Sequence, residues 1–287
     1  MAIVGTVKEI WRFPVKSMAG ERLNEASVFG GGIVGDRGWA ARDETAGEIR
    51  GAKKLAGLLQ CSARYLDEPS PGRVPAAEIT LPDGSRVRSD DPEAGERLSR
   101  LLGREVTLWP IQPAESRDHY RRVPEPGVDL ETDLRAIFGR LPDEPLPDFS
   151  VFPAEIFELT SPAGTYFDAF PLHVLTTGTL RFLAGRNPDA RFDVRRFRPN
   201  LVVETEGDGA SPPEVEWVGR ELRIGGVPVT VAAPCPRCVM TTLPQHDLSK
   251  DPGVLRTIVR DLAQNVGVYG AARAAGRITV GAPVELV

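Results

Sequence analysis

Residues 234–242 read PCPRCVMTT, and this stretch holds Cys235 and Cys238, two of the three cysteines in the chain. Two thiols at this spacing admit three readings. A structural zinc site would need two further ligands at short spacing, because zinc closes a tetrahedron of four. The other candidates, Cys61, His119, His173 and His246, stand singly along the chain, as core or surface residues of these types do. A thiol–disulfide redox pair would need a helix N-terminus near a βαβ unit, where the dipole stabilises a thiolate. Here the pair follows VPVTVAAP, which reads as a strand, and Pro228 marks that strand as an edge. In the third reading both thiols are packed as small hydrophobes. Spacing alone leaves all three open.

The other chemistry-bearing residues are cations. Lys plus Arg number 35 against 40 for Asp plus Glu, a net charge of −5. Nothing global therefore draws the protein to nucleic acid or an acidic membrane surface, and an anionic ligand must be held by a local cluster. TVKEIWRFPVKSMAG reads as a strand to Phe13 that Pro14 stops, leaving Lys16 and Ser17 on a turn. RFDVRRFRPNLVVE gathers Arg191, Arg195, Arg196 and Arg198 just before a strand, with Asn200 ending a rigid Arg-Pro-Asn corner. VFGGGIVGDRGWAARD offers Asp36 and Arg37 after Gly30, Gly31, Gly32 and Gly35. Those glycines lack G-x-G-x-x-G spacing and read as a turn or bulge.

The elements that must position these groups are mostly strands. A helix is expected from the Asp91 cap and Pro92 to the Gly103 terminator, then a strand at VTLWP. FPLHVLTTGTLRFLAG reads as a buried strand running into Thr176, Thr177 and Thr179, then a short helix ended by Gly185. WVGRELRI and VPVTVAAP form a hairpin through Gly225-Gly226, and DPGVLRTIVRDLAQN is an amphipathic helix capped by Asp251. GRITVGAPVELV gives two short strands. Without regular strand–helix alternation, the expectation is an α+β, mostly β protein, a closed or nearly closed barrel with peripheral helices. Residues 1–115 and 151–287 are read as two domains, the first β-barrel-like. Residues 116–150, rich in proline and acids, connect them and offer an active-site rim, a partner contact or a variable surface link. With 287 residues and 41% apolar content the chain buries a real core. An odd cysteine count closes no disulfide framework, and neither a leader nor an 18-residue apolar run is present, so a reduced, cytoplasmic protein with no membrane association is expected.

PCPRCVMTT, preceded by FRPNLVVE and a hairpin and followed by VGAPVEL, resembles the MOSC domain family. FPVKSMAG and GDRGWAARD are similar to its usual N-terminal companion, and the resemblance covers nearly all of the chain outside 116–150. It implies a molybdopterin-bound molybdenum (Moco) with Cys238 as its protein ligand, a soft thiolate for a metal already held by a soft dithiolene. Arg237 beside it would favour that thiolate. By analogy with the amidoxime-reducing members of the family, Lys16, Ser17 and Arg37 would hold the pterin's phosphate, and Thr176, Thr177, Arg198, Asn200 and Tyr269 would complete the pterin and phosphate contacts. These are types that suit a dianion: Lys as a point charge, Arg as a fork, hydroxyls and an amide for the remaining lone pairs. Cys235 is read as a packed second thiol, with Pro236 where reductase relatives often carry Ser. The resemblance implies an oxidoreductase that reduces N-hydroxylated substrates with electrons from a separate flavin or iron–sulfur protein. The alternative is a carrier of the cofactor, or of sulfur, without turnover of its own.

Cys238→Ser is expected to abolish bound molybdenum, because a hydroxyl is a harder and far weaker acid than a thiol. Cys235→Ser should keep most of it. Metal analysis of the purified variants checks the assignment, and equal loss in both would reverse it.

Overall fold

Alternation at period two builds the centre of the molecule. In the strand Val227–Pro236, residues 227, 229, 231, 233 and 235 are buried while their neighbours are more exposed, the pattern of a strand with one face on a core. The computed structural model describes residues 2–207 and 209–287. Seven strands close on themselves: β1 (Ala2–Arg12), β2 (Leu172–Thr176), β3 (Leu201–Glu204), β4 (Glu221–Ile224), β5 (Val227–Pro236), β6 (Asn265–Ala272) and β7 (Pro283–Leu286). Around the barrel the order is β3-β2-β6-β5-β4-β7-β1, and β1 pairs back onto β3. Only β2 and β3 of the barrel run parallel, joined across the helix Thr177–Arg186.

The first strand of the chain therefore closes a barrel otherwise made of residues beyond 171. Val7 and Ile10 of β1 share its interior with Val174, Leu201, Val203, Val229, Val231 and Val284. Closure leaves no free edge, and this corrects the edge reading of β5, which lies between β4 and β6. Pro228 is accommodated near the start of β5, before the ladder with β6 begins, and its carbonyl accepts from Arg273 N at 2.8 Å. Gly225 and Gly226 take φ of 55° and 88° in the β4–β5 turn, the tight hairpin that their sequence implied.

Residues 15–106 have a core of their own, in which Val15, Met18, Leu58, Cys61, Ile79 and Leu98 are fully buried. Helix α1 (Pro92–Leu102) covers it, capped by Asp91 and ended by Gly103 at φ 63°. Helix α2 (Leu130–Phe138) lies within the proline- and acid-rich connection, and a further short turn of helix occupies Arg117–Tyr120. Helix α3 (Thr177–Arg186) runs through Gly185 and stops at Asn187, whose N–H bonds Leu183 O. Helix α4 (Pro252–Leu262) packs beside it, with Asp251 as its cap. The protein is thus mostly β, a seven-stranded barrel with peripheral helices. Among the described residues, no helix is long and apolar enough to cross a membrane.

Closure is tight at Gly5, where an added Cβ would lie 2.4 Å from Glu204 O and 2.7 Å from Val203 Cγ1. Gly5→Ala is expected to lower stability by about 1–3 kcal/mol in urea unfolding. A change within the error of the measurement would show that the β1–β3 seam is slack.

Candidate active site

The alternation that builds β5 also separates the two thiols. Cys235, at the last inward position, is fully buried, whereas Cys238, past the end of the strand, is half-buried. Cys238 begins the turn Val239–Thr242, packs against the cluster of Ala52, Leu59 and Met240, and opens into a cavity. That turn is held from behind by Arg196, which donates to the carbonyls of Thr241 (3.1 Å), Leu243 (3.2 Å) and Ser249 (2.7 Å).

The cavity concentrates positive charge. Lys16, Arg37, Lys53, Arg122, Arg196, Arg198 and Arg237 line it against only two carboxylates, Asp133 and Asp168, in a chain of net charge −5. Ser17, Asn200, Tyr269 and Cys238 complete the sequence-predicted residues brought together there. Lys16 Nζ donates to Tyr166 O (2.7 Å), Asp168 Oδ1 (3.0 Å) and Ser161 Oγ (3.3 Å). Ser17 Oγ accepts from Ala52 N at 2.9 Å. Arg198 donates to Met18 O at 2.6 Å and lies 4.2 Å from the Phe13 ring centroid, with Arg37 over the same ring at 5.1 Å. Ser17, Arg37 and Arg198 have φ of 71°, 52° and 53°. Three non-glycine residues in the left-handed region around one cavity carry a conformational cost of the kind that concentrates at functional sites.

Arg198 Nη2, Arg237 Nε and Arg122 Nε are buried without hydrogen-bond partners. Native proteins rarely leave such donors unpaired. Burial, with Arg37 nearby, lowers the Arg198 pKa to about 9. Burial also lowers Lys16 to about 8, opposed by Asp168 and reinforced by Lys53 and Arg37. Burial alone would raise the Asp168 carboxyl, but Lys16, Lys53 and Arg37 hold it well below the usual carboxylate range. A multiply charged anion with several acceptor oxygens would pair the free guanidinium donors and favour the charged forms of Arg198 and Lys16.

Three expected interactions are absent. Thr176 and Thr177 do not reach the cavity: Thr176 is fully buried and donates to Glu214 Oε2 at 2.6 Å, and Thr177 Oγ1 accepts from Thr205 N and Arg181 Nη1, both at 3.1 Å. Both hydroxyls sit at the start of α3, where local donors and a buried acid engage them. Arg237 does not hydrogen-bond Cys238. Its Nη1 donates to Cys235 Sγ at 2.8 Å and its Nη2 to Phe197 O at 2.8 Å. Burial pushes the Cys235 thiol up against the opposing pull of Arg237 and Tyr269, which hydrogen-bond it, so Cys235 is a packed thiol with polar neighbours. Of the arginines in the segment 191–198, Arg191 and Arg195 pair with Asp193 and Asp247 at the surface. Sequence reasoning missed Lys53, Arg122 and Asp168, and only the Lys-Lys doublet in GAKKLAG signalled the first.

Residues 163–285 match the MOSC domain model and residues 4–84 match that of the MOSC N-terminal beta barrel domain. The chain belongs to the MOSC family. This MOSC protein is 26% identical over 302 residues to mitochondrial amidoxime reducing component 2 of Rattus norvegicus, covering 98% of this chain and 83% of that one. To the Homo sapiens protein of the same name it is 29% identical over 251 residues, covering 84% and 67%. Among solved structures, the YUAD protein from Bacillus subtilis aligns over 99% of this chain and 96% of its own at a TM-score of 0.45 and 9% identity. MOSC proteins of the amidoxime-reducing kind bind the molybdenum cofactor. The cavity suits that group, since it offers one half-buried thiol for a soft metal and unpaired cationic donors for an anion.

Lys16 makes this electrostatic balance measurable. Its pKa is about 8 in the folded protein against an ordinary 10.5. Below pH 8 it is charged in both states and its burial penalty is fully present. Between pH 8 and 10.5 the unfolded chain holds a proton that the folded protein has shed, so the contribution of Lys16 to stability rises with pH. In cofactor-free protein, Lys16→Met should remove that rise, worth up to about 3 kcal/mol, in urea unfolding at stepped pH. The same variant should weaken anion binding. A profile identical to wild type would mean that Lys16 keeps its proton in the folded state.

Proposed function

We propose that this MOSC protein is a molybdenum-dependent oxidoreductase that reduces N-hydroxylated substrates with electrons from a separate flavin or iron–sulfur protein. The observation that carries the reading is the convergence of a single half-buried thiol, Cys238, with buried guanidinium donors that have no protein partner. The relatives named for amidoxime reduction in rat and human set the reaction class.

In this reading Cys238 supplies the metal's protein thiolate, and Lys16, Ser17 and Arg37 hold the pterin's phosphate. Arg198 and Arg237 turn their unpaired N–H groups to the remaining oxygens of the bound anion. Asn200 acts indirectly: its amide donates to Asp36 Oδ2 at 2.9 Å and accepts from His173 N at 3.1 Å, fixing the corner that carries Arg198. Tyr269 lends a ring face to the cavity while its hydroxyl partners Cys235. A cofactor held by these residues would supply a metal centre able to exchange two electrons with the substrate's N–O group. Reduction of an N–OH group to N–H with loss of water consumes two electrons and two protons. The three cysteines of these 287 residues cannot ligate a four-cysteine cluster, which supports an external donor. All three thiols are free, which supports a reducing compartment, and we place the protein in the cytoplasm.

The test is anaerobic turnover of an amidoxime by molybdenum-loaded protein with reduced viologen dye. Turnover is expected in wild type and should be lost in Cys238→Ser together with its molybdenum. No turnover by fully loaded protein, together with transfer of its cofactor to an apo-enzyme, would establish the carrier instead.

A further inference from the structure

The cavity has two unlike walls. The cationic wall, with Cys238, is drawn mainly from residues inside the two family matches, 4–84 and 163–285. A second part of the lining is apolar: Leu134, Ile137, Phe138, Phe149, Phe152 and Phe157. Every one of these six lies between residues 85 and 162, which neither family model covers. What holds a ligand common to the family is expected among the common residues. A wall built from the remainder faces what differs among members, and that is the substrate.

We infer that this wall selects substrate, and that it takes N-hydroxylated compounds whose non-reacting body is apolar and aromatic. The inference rests on the reductase reading above. The rings already meet as aromatic ligands would. Phe149 lies 5.2 Å from Phe138, 6.3 Å from Phe152 and 5.7 Å from Phe157, the last contact at 87°, so it is the hub of an edge-to-face cluster. From Phe152 the rings continue through Phe170 at 5.9 Å to Tyr269 at 5.5 Å, beside Cys235. Ile137 alone of the six is fully packed, and the others remain half-buried, keeping surface free for a guest. The one acid that these residues bring to the cavity, Asp133, is taken by Lys54 at 2.6 Å, so the wall offers a cationic body no free partner and would impose a desolvation cost on it.

The wall is also registered to the metal ligand. Gln264 Nε2 donates to Phe138 O at 2.6 Å and to Arg237 O at 2.8 Å, so one amide joins the end of α2 to the residue before Cys238. Arg256 of α4 binds Gly139 O and the Glu144 carboxylate, the latter at 3.0 and 3.2 Å. A body seated on the rings would therefore keep a set distance from Cys238.

The experiment compares two amidoximes, one carrying a phenyl and one a methyl group, on molybdenum-loaded full-length protein. Calorimetric binding and viologen-linked turnover are measured for wild type, Phe149→Ala and Phe149→Leu, with molybdenum and released pterin assayed in each. In wild type kcat/KM should favour the phenyl compound. The phenyl-to-methyl ratio should fall roughly tenfold in Phe149→Ala, the scale of discrimination available to a hydrophobic pocket, with pterin content as in wild type. Phe149→Leu keeps most of the volume and should lose part of the preference even if Phe149→Ala does not fold. Loss of pterin from either variant would show that the wall seats the cofactor and overturn the inference. Turnover of both compounds without preference would do the same while leaving the reductase reading intact. Tight phenyl binding without turnover of either compound would count against the reductase reading and for the wall.

Discussion

The buried carboxylate of Asp36 ties the site together. Its Oδ1 accepts from Phe13 N at 2.8 Å, and its Oδ2 accepts from Asn200 Nδ2 at 2.9 Å and from the neighbouring Arg37. One side chain thereby fastens the end of β1, the Arg37 corner and the entry to β3, although Asn200 is 164 positions away in the chain. Lys16, Ser17, Arg37 and Arg198 all project from the segments it joins. Ionic and amide hydrogen bonds in a water-excluded setting are stronger than at a surface, and severing one would leave a buried carboxylate short of donors. The left-handed backbone at Ser17, Arg37 and Arg198 persists because these contacts over-determine it.

The balance of charge around that knot is deliberately incomplete. At the surface Arg195 is matched by Asp193 and Asp247, and in the N-terminal half Arg50 is matched by Asp43, Glu48 and Glu125. In the cavity the carboxylates run short, and three guanidinium N–H groups stay unpaired. Buried networks left part-satisfied are costly, so the arrangement is sensible only where a bound anion finishes it.

The two thiols show how one backbone separates two fates. β5 turns Cys235 inward against Arg237 and Tyr269, while the strand's end frees Cys238 to face the cavity. Arg237, expected to serve Cys238, braces the inner thiol and the Phe197 carbonyl instead. It braces the loop that presents Cys238 without reaching that sulfur through a hydrogen bond.

What the sequence determined by itself is local. Caps and glycines placed the helices 92–102 and 252–262 and the Gly225-Gly226 hairpin, because the groups that satisfy a helix end or a tight turn lie a few residues away. Pro14 and the Arg-Pro-Asn corner likewise put Lys16, Ser17, Arg198 and Asn200 outside regular elements, where side chains are free to face a ligand. Motif order supplied the family and with it the cofactor. What only the tertiary structure decided depends on pairings between distant segments. Nothing local tells β1 to close a barrel with β3 and β7, or 130–157 to fold over Cys238 as an aromatic wall. Nor does it reveal that Glu214, far along the chain, engages Thr176 and draws it away from the cavity. Local backbone preferences are written in neighbouring residues, whereas register and side-chain direction are set by whichever long-range contacts bury the most apolar surface and leave the fewest polar groups unpaired.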